Sequence, residues 1–271
     1  MGTRINVGWL QQDISTIGRA EMSCQALMDG VPSWATIIPC PYNKRPSQDI
    51  DIFVIENSVT YGPQWIEELA LKPVIRQVRD PWYAGSATLR RWILDNAALL
   101  IFSSPIQRDD VQKRYPFDRP TAVIPVPIDL QPFRDAARPL NERQGAVFVG
   151  RIDVFKGAGS VVDWALRTKT PLTMIGENRF MGFGALPAYI RIIGSVPYEQ
   201  MPEILGKART YIAMPEWPEA FGRSVVEAWA AGCELIIEGR VGADWWLDNA
   251  PERLGYDGPV QEFWDAVEGV L

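Results

Sequence analysis

Short apolar runs alternate with helix-length amphipathic stretches along the whole chain. In the first half, residues 5–10, 35–38, 52–55, 74–78, 99–102 and 122–124 are largely apolar and of strand length. Between many of them, residues 18–28, 63–71, 86–96 and 105–115 repeat apolar positions at helical spacing. A continuous apolar run predicts a strand buried on both faces, and helices between such strands predict a parallel sheet covered on both sides. The pattern restarts in the second half, with strands predicted at 146–149, 172–175, 190–193, 211–213 and 235–237 and helices at 158–167, 199–208 and 224–231. The fold class is therefore α/β, with two doubly wound, Rossmann-like domains.

The alternation breaks where Pro125, Pro127 and Pro132 forbid a helix and a central strand alike. The polar stretch 134–144 follows. These features predict an N-terminal domain over 1–130, a linker over 131–144 and a C-terminal domain over 145–271. Two such domains in series are expected to face a cleft at the carboxyl ends of their strands, where doubly wound folds take ligands.

Composition narrows the chemistry. Hydrophobic residues make up 47% and charged residues 22%, as in folded proteins generally. A formal net charge of -6 argues against general nucleic-acid binding. Cys24, Cys40 and Cys233 form no C-x-x-C pair and read as small buried side chains in a reducing cytoplasm. There is no histidine, which removes the commonest general base and any histidine triad or metal cluster. Carboxylates, Arg, Lys and backbone amides are left to carry any reaction. The N-terminal apolar run is too short for a signal peptide, and no window approaches the roughly 18 apolar residues of a membrane span, which leaves only peripheral membrane contact open. Most of the eleven tryptophans are expected in the core, although Trp82 and Trp217 lie near the motifs below.

Two segments stand out. In the first, the strand at 211–213 leads through Pro218-Glu219-Ala220-Phe221-Gly222-Arg223-Ser224 into a helix. Gly222 allows backbone to approach a ligand, and the amino end of the helix suits a diphosphate. Glu219 and Glu227 can both face that place. Ser224-Val-Val-Glu227 also reads as a capping box, with the glutamate folded back on the N-cap amide. The second segment runs from Val149 through Gly150 and Arg151 to Lys156 and Gly157. Its two cations either clamp a diphosphate or line a solvated basic loop. Asp49 and Asp51 form a D-x-D pair, but they precede the strand at 52–55 and are expected at the end of the sheet away from any ligand.

Gly150-Arg151…Lys156-Gly157 followed by Glu219…Glu227-Ala228-Trp229-Ala230-Ala231-Gly232 resembles the C-terminal domain of family 4 glycosyltransferases, retaining enzymes of the GT-B fold. The resemblance is best over 146–237. It implies that Arg151 and Lys156 hold the donor diphosphate, Glu227 binds ribose hydroxyls, and Glu219 faces the transferred sugar. It places Gly150, Phe221, Gly222, Arg223 and Ser224 along the donor, with Val196 beside the base. In the N-terminal half, Ile17-Gly18-Arg-Ala-Glu21 is similar to an altered Gly-Gly-x-E loop, so Gly18 is expected near the phosphates. Arg79-Asp80 stands where many members have His-Asp, making Asp80 a cleft candidate, with a plain turn at Asp80-Pro81 as the alternative. The expectation is a cytoplasmic, metal-independent hexosyltransferase using a UDP- or GDP-linked sugar as co-substrate, with no cofactor, an unknown acceptor (glycan, lipid, protein or small molecule) and the acceptor site on the N-terminal domain. A nucleotide-sugar epimerase or hydrolase and a non-catalytic nucleotide-sugar binding module are the competing readings.

Overall fold

The computed structural model describes residues 4–11, 19–41, 45–56, 69–78 and 87–271. The first sheet has six strands: β1 (Ile5–Gln11), β2 (Ala35–Pro41), β3 (Ile52–Ile55), β4 (Val74–Val78), β5 (Leu99–Phe102) and β6 (Thr121–Val123), in the order β2-β1-β3-β4-β5-β6. Every pairing is parallel. Its helices include α1 (Arg19–Asp29), α2 (Ala87–Asn96) and α3 (Pro105–Arg114). All four side chains of β3 are buried because the sheet is covered on both faces. Ile52 and Val54 join the core on one face with Val7, Trp9 and Leu27, while Phe53 and Ile55 join the other with Leu10, Ile93 and Phe102. This is the two-residue period of a strand, with both phases apolar.

The second sheet contains β7 (Gln144–Val149), β8 (Leu172–Ile175), β9 (Ile190–Ile193), β10 (Ala208–Ala213) and β11 (Glu234–Ile237), all parallel, in the order β11-β10-β7-β8-β9. Five helices follow Val123 in sequence before the final one: α4 (Gln131–Asp135), α5 (Ala158–Thr168), α6 (Met201–Lys207), α7 (Arg223–Ala230) and α8 (Gly242–Asn249); the last is α9 (Asp257–Glu268). The order places β7 and β10 side by side, with chain progression running outward from each in opposite directions. That is the switch point of a doubly wound sheet.

The expected domain limits need two corrections. The chain divides into unit 1, residues 1–127 with 252–271, and unit 2, residues 128–251. The last helix belongs to unit 1 because its apolar face completes that core. Phe263 and Val267 are fully buried, and the rings of Phe263 and Trp264 lie 5.6 and 6.1 Å from that of Trp9. Trp264 Nε1 also donates to the carbonyl of Leu27 at 2.9 Å. The expected linker is part of unit 2. Pro132 sits in the first turn of α4, where its missing N–H costs nothing, so the proline run does not exclude a helix there. Ile128, Leu130 and Phe133 are buried, and Gly206 of α6 is packed so closely on α4 that a Cβ would meet the carbonyl of Ala136.

All three cysteines are buried. Burial pushes the Cys40 and Cys233 thiols up to about 11, which keeps them protonated. Among the described residues, no helix is long and apolar enough to cross a membrane.

Candidate functional site

The two motif segments of unit 2 leave the sheet from the adjacent strands β7 and β10, at the switch point. After β7 the chain runs Gly150-Arg151-Ile152-Asp153 and turns into α5 at Gly157. Asp153, only 8% exposed, organises this loop. Its Oδ1 accepts from the backbone N–H of Lys156 at 2.9 Å, its Oδ2 accepts from Arg151 Nε, and its carbonyl accepts from Ala158 at 3.1 Å. Gly157 closes the turn in the left-handed region, with φ 70°. A Cβ there would run into the carbonyl oxygen of Met214, on the segment that follows β10. The glycine thus lets the two loops touch through their backbones.

The loop after β10 carries Glu219. Its backbone N–H donates to Arg240 at 2.8 Å and its carbonyl accepts from Gly242 at 3.0 Å, which ties the loop to the segment after β11. The carboxylate of Glu219 is ion-paired with Lys156 Nζ. This pair joins residues 63 positions apart and is partly exposed on both sides. Phe221 is buried and its carbonyl accepts from Ala243 at 2.6 Å. Gly222 is the N-cap of α7, at φ 91°, where a Cβ would lie 2.7 Å from Val241 Cγ1.

The start of α7 corrects the capping-box reading. Ser224 is the second residue of the helix, behind Gly222 and Arg223. Its hydroxyl donates to the carbonyl of Val149 at 3.1 Å and lies 2.7 Å from the Tyr211 hydroxyl. Ser224 therefore pins the amino end of α7 to the carboxyl end of β7. Glu227 is fully buried. Its Oε1 accepts from the Tyr198 hydroxyl at 2.9 Å and lies 3.5 Å from Arg223 Nε. The glutamate is engaged by these side chains because the helix starts two residues earlier than the box requires, with a left-handed glycine as its cap.

Gly150, Arg151, Lys156, Glu219, Phe221, Gly222, Arg223, Ser224 and Glu227 are thus brought together around the ends of β7 and β10. Val196 lies, half-buried, in the turn between β9 and the 3-10 turn Tyr198–Gln200, and Tyr198 ties that segment to α7. Gly18 and Asp80 fall outside the described residues, as do Arg79 and Trp82. The side chains gathered here are three cations, Arg151, Lys156 and Arg223, against three carboxylates, Asp153, Glu219 and Glu227. The positive end of α7 adds to the cationic side.

Asp153 and Tyr198 were not among the sequence candidates. Asp153 had a legible signal: an aspartate opening a short turn commonly accepts from a backbone N–H within that turn. Tyr198 lies in the same segment as Val196, but its contact was not legible, since its partner is 29 residues away. Asp49 and Asp51 stand before β3; Asp51 Oδ2 accepts from the backbone N–H of Asn6 at 2.8 Å. Among the described residues, no group of three or more Cys, Asp or Glu side chains gathers in a geometry that would hold a metal ion. Trp9 and Trp246 are fully buried, as expected for core indoles.

No family model matches the sequence, and no curated protein is significantly similar to it. The fold, in contrast, is similar to solved structures along nearly the whole chain. HepE of Anabaena in complex with UDP and glucose superimposes with a TM-score of 0.71 at 12% identity, covering 98% of this chain and 100% of that one. Sucrose-phosphate synthase from Thermosynechococcus elongatus gives 0.67 at 14% identity, with 97% and 96% covered. AviGT4, a glycosyltransferase involved in avilamycin A biosynthesis, gives 0.58 at 15% identity, with 96% of each chain covered. At these identities the likeness is one of fold alone.

Proposed function

We propose that this protein is a retaining glycosyltransferase of the GT-B type, moving a sugar from a UDP- or GDP-linked donor to an acceptor without a metal ion. The observation that carries the reading is the meeting of three elements at one switch point: the Arg151–Lys156 loop, the Glu219 loop and the amino end of α7. Doubly wound sheets take ligands at this place, and two cations beside a helix start suit a diphosphate. HepE, which shares the fold, was crystallised with UDP and with UDP-glucose, which supports a nucleotide sugar as the ligand class.

In the proposed reaction the bond from the anomeric carbon to the diphosphate oxygen breaks, and the electron pair leaves with the diphosphate. Arg151, Lys156 and the α7 amides stabilise that charge, the part a metal ion would otherwise take. The acceptor oxygen bonds to the anomeric carbon on the face being vacated. Its proton passes to a diphosphate oxygen, so the configuration is retained and no protein base is needed. Glu219 faces the sugar, Glu227 the ribose, and unit 1 carries the acceptor. Lys156 must exchange its Glu219 partner for phosphate as the donor arrives.

Incubation with UDP- and GDP-sugars over an acceptor panel, read by mass spectrometry, should yield glycosylated acceptor and free nucleoside diphosphate. Release of free sugar alone, or conversion into another nucleotide sugar, would contradict transfer. Arg151→Ala and Lys156→Ala should each lower turnover by roughly 10²–10³, the scale of one lost oxyanion donor. A loss below about threefold in both would remove their assignment.

A further inference from the structure

Glu227 is a carboxylate with 0% exposure, close to the amino end of α7. Taking such a group out of water is unfavourable unless cations and hydrogen-bond donors surround it. Two side chains serve one of its oxygens. The Tyr198 hydroxyl donates to Oε1 at 2.9 Å, and Arg223 Nε, one helical turn before Glu227, lies 3.5 Å from the same atom. Arg223 Nη2 also donates to the Tyr198 hydroxyl oxygen at 3.4 Å, closing a three-membered ring of contacts. Burial, and then the charge of Glu227, push the Tyr198 phenol up to about 12, so it stays a donor at neutral pH. The Tyr198 ring is itself held edge-on by Phe133 of α4, with centroids 6.1 Å apart.

We propose that Tyr198 is a positioning residue for ribose recognition: its hydroxyl, with Arg223, holds the buried carboxylate of Glu227 in place for the ribose hydroxyls of the donor nucleotide, which displace part of this cover to reach it. The inference rests on the nucleotide-sugar reading above and adds a residue that the motif resemblance does not assign. Two features argue that the contact does more than fill space. Tyr198 reaches Glu227 from the turn after β9, the segment that also carries Val196, so one side chain links the base side of the site to the ribose side. The Phe133 packing holds the ring without help from the hydroxyl, which leaves the hydroxyl's hydrogen bonds as its distinct contribution.

The test is Tyr198→Phe, which removes one oxygen and keeps the ring on Phe133. Affinities for UDP and GDP and for their 2′-deoxy counterparts are measured by calorimetry, together with KM and kcat for the donor. The unsubstituted protein should prefer the ribonucleotide. Tyr198→Phe should weaken ribonucleotide binding roughly tenfold, the scale of a hydrogen bond to a charged group, and change deoxyribonucleotide binding little. KM should rise accordingly while kcat stays within about threefold. Equal loss for both nucleotides, or no loss, would overturn the inference while leaving the nucleotide reading in place. Failure of the unsubstituted protein to bind UDP or GDP would overturn both. Glu227→Gln gives a second route should Tyr198→Phe not fold: its preference for ribose must fall, and an unchanged preference would equally overturn the proposal.

Discussion

Gly157 shows how one residue sets the geometry of a charged loop. It adopts φ 70° between Lys156 and α5, and its hydrogen occupies the space in which a Cβ would meet Met214. Gly157→Ala should therefore combine left-handed strain with a backbone clash and cost about 2–4 kcal/mol, measurable by urea denaturation. A loss below about 0.5 kcal/mol would mean that the two loops are not in backbone contact. At this scale the sequence was partly readable. The glycines of the motif marked the two turns, because a positive φ restricts the choice of residue. Asp153 and Tyr198 were not found: one passed as an ordinary loop residue, and the other acts through a partner distant in sequence.

At the scale of elements, continuous apolar runs were the strongest signal. β3, β4, β5, β8 and β9 begin and end where the runs do; β3 and β5, buried along their whole length, have no polar phase to blur their limits. Helix starts were harder to place. Ser224-Val-Val-Glu227 fits a capping box, yet α7 begins at Arg223 behind Gly222, and the glutamate is taken up by Tyr198 and Arg223. Local pattern lost to tertiary contacts that no short window contains. The ion pair between the Lys156 loop and the Glu219 loop carries its own prediction. Glu219 holds the ammonium that the proposed function gives to a diphosphate, so Glu219→Gln should bind UDP or GDP roughly twofold to fivefold tighter, the scale of a partly exposed ion pair. The same variant should turn over more slowly if Glu219 faces the sugar. Weaker binding of the free nucleotide in a titration would show that the pair is not a competitor of the ligand.

At the scale of the whole molecule, the two parallel sheets were evident from the sequence, but the course of the C-terminus was not. The segment 257–268 has an ordinary amphipathic pattern that says nothing about which core its apolar face will join. Packing decides this: Phe263, Trp264 and Val267 fill the unit 1 core against Trp9, Ile52 and Val54. Trp264→Ala should destabilise unit 1 by about 3–5 kcal/mol, the range for a large buried aromatic. It should leave the nucleotide binding proposed for unit 2 intact at temperatures where both units remain folded. Loss of binding with no loss of stability would contradict that division of labour.

In the proposed function Arg151, Lys156 and the amino end of α7 together hold a nucleoside diphosphate. Thermal unfolding of the unsubstituted chain, Arg151→Ala and Lys156→Ala, each with and without millimolar UDP or GDP, tests it most directly, because a ligand that binds only the folded state raises the melting temperature. A rise of several degrees is expected in the unsubstituted protein with at least one of the two nucleotides, largely lost in both variants. Absence of any rise, or a rise of equal size in all three proteins, would contradict it.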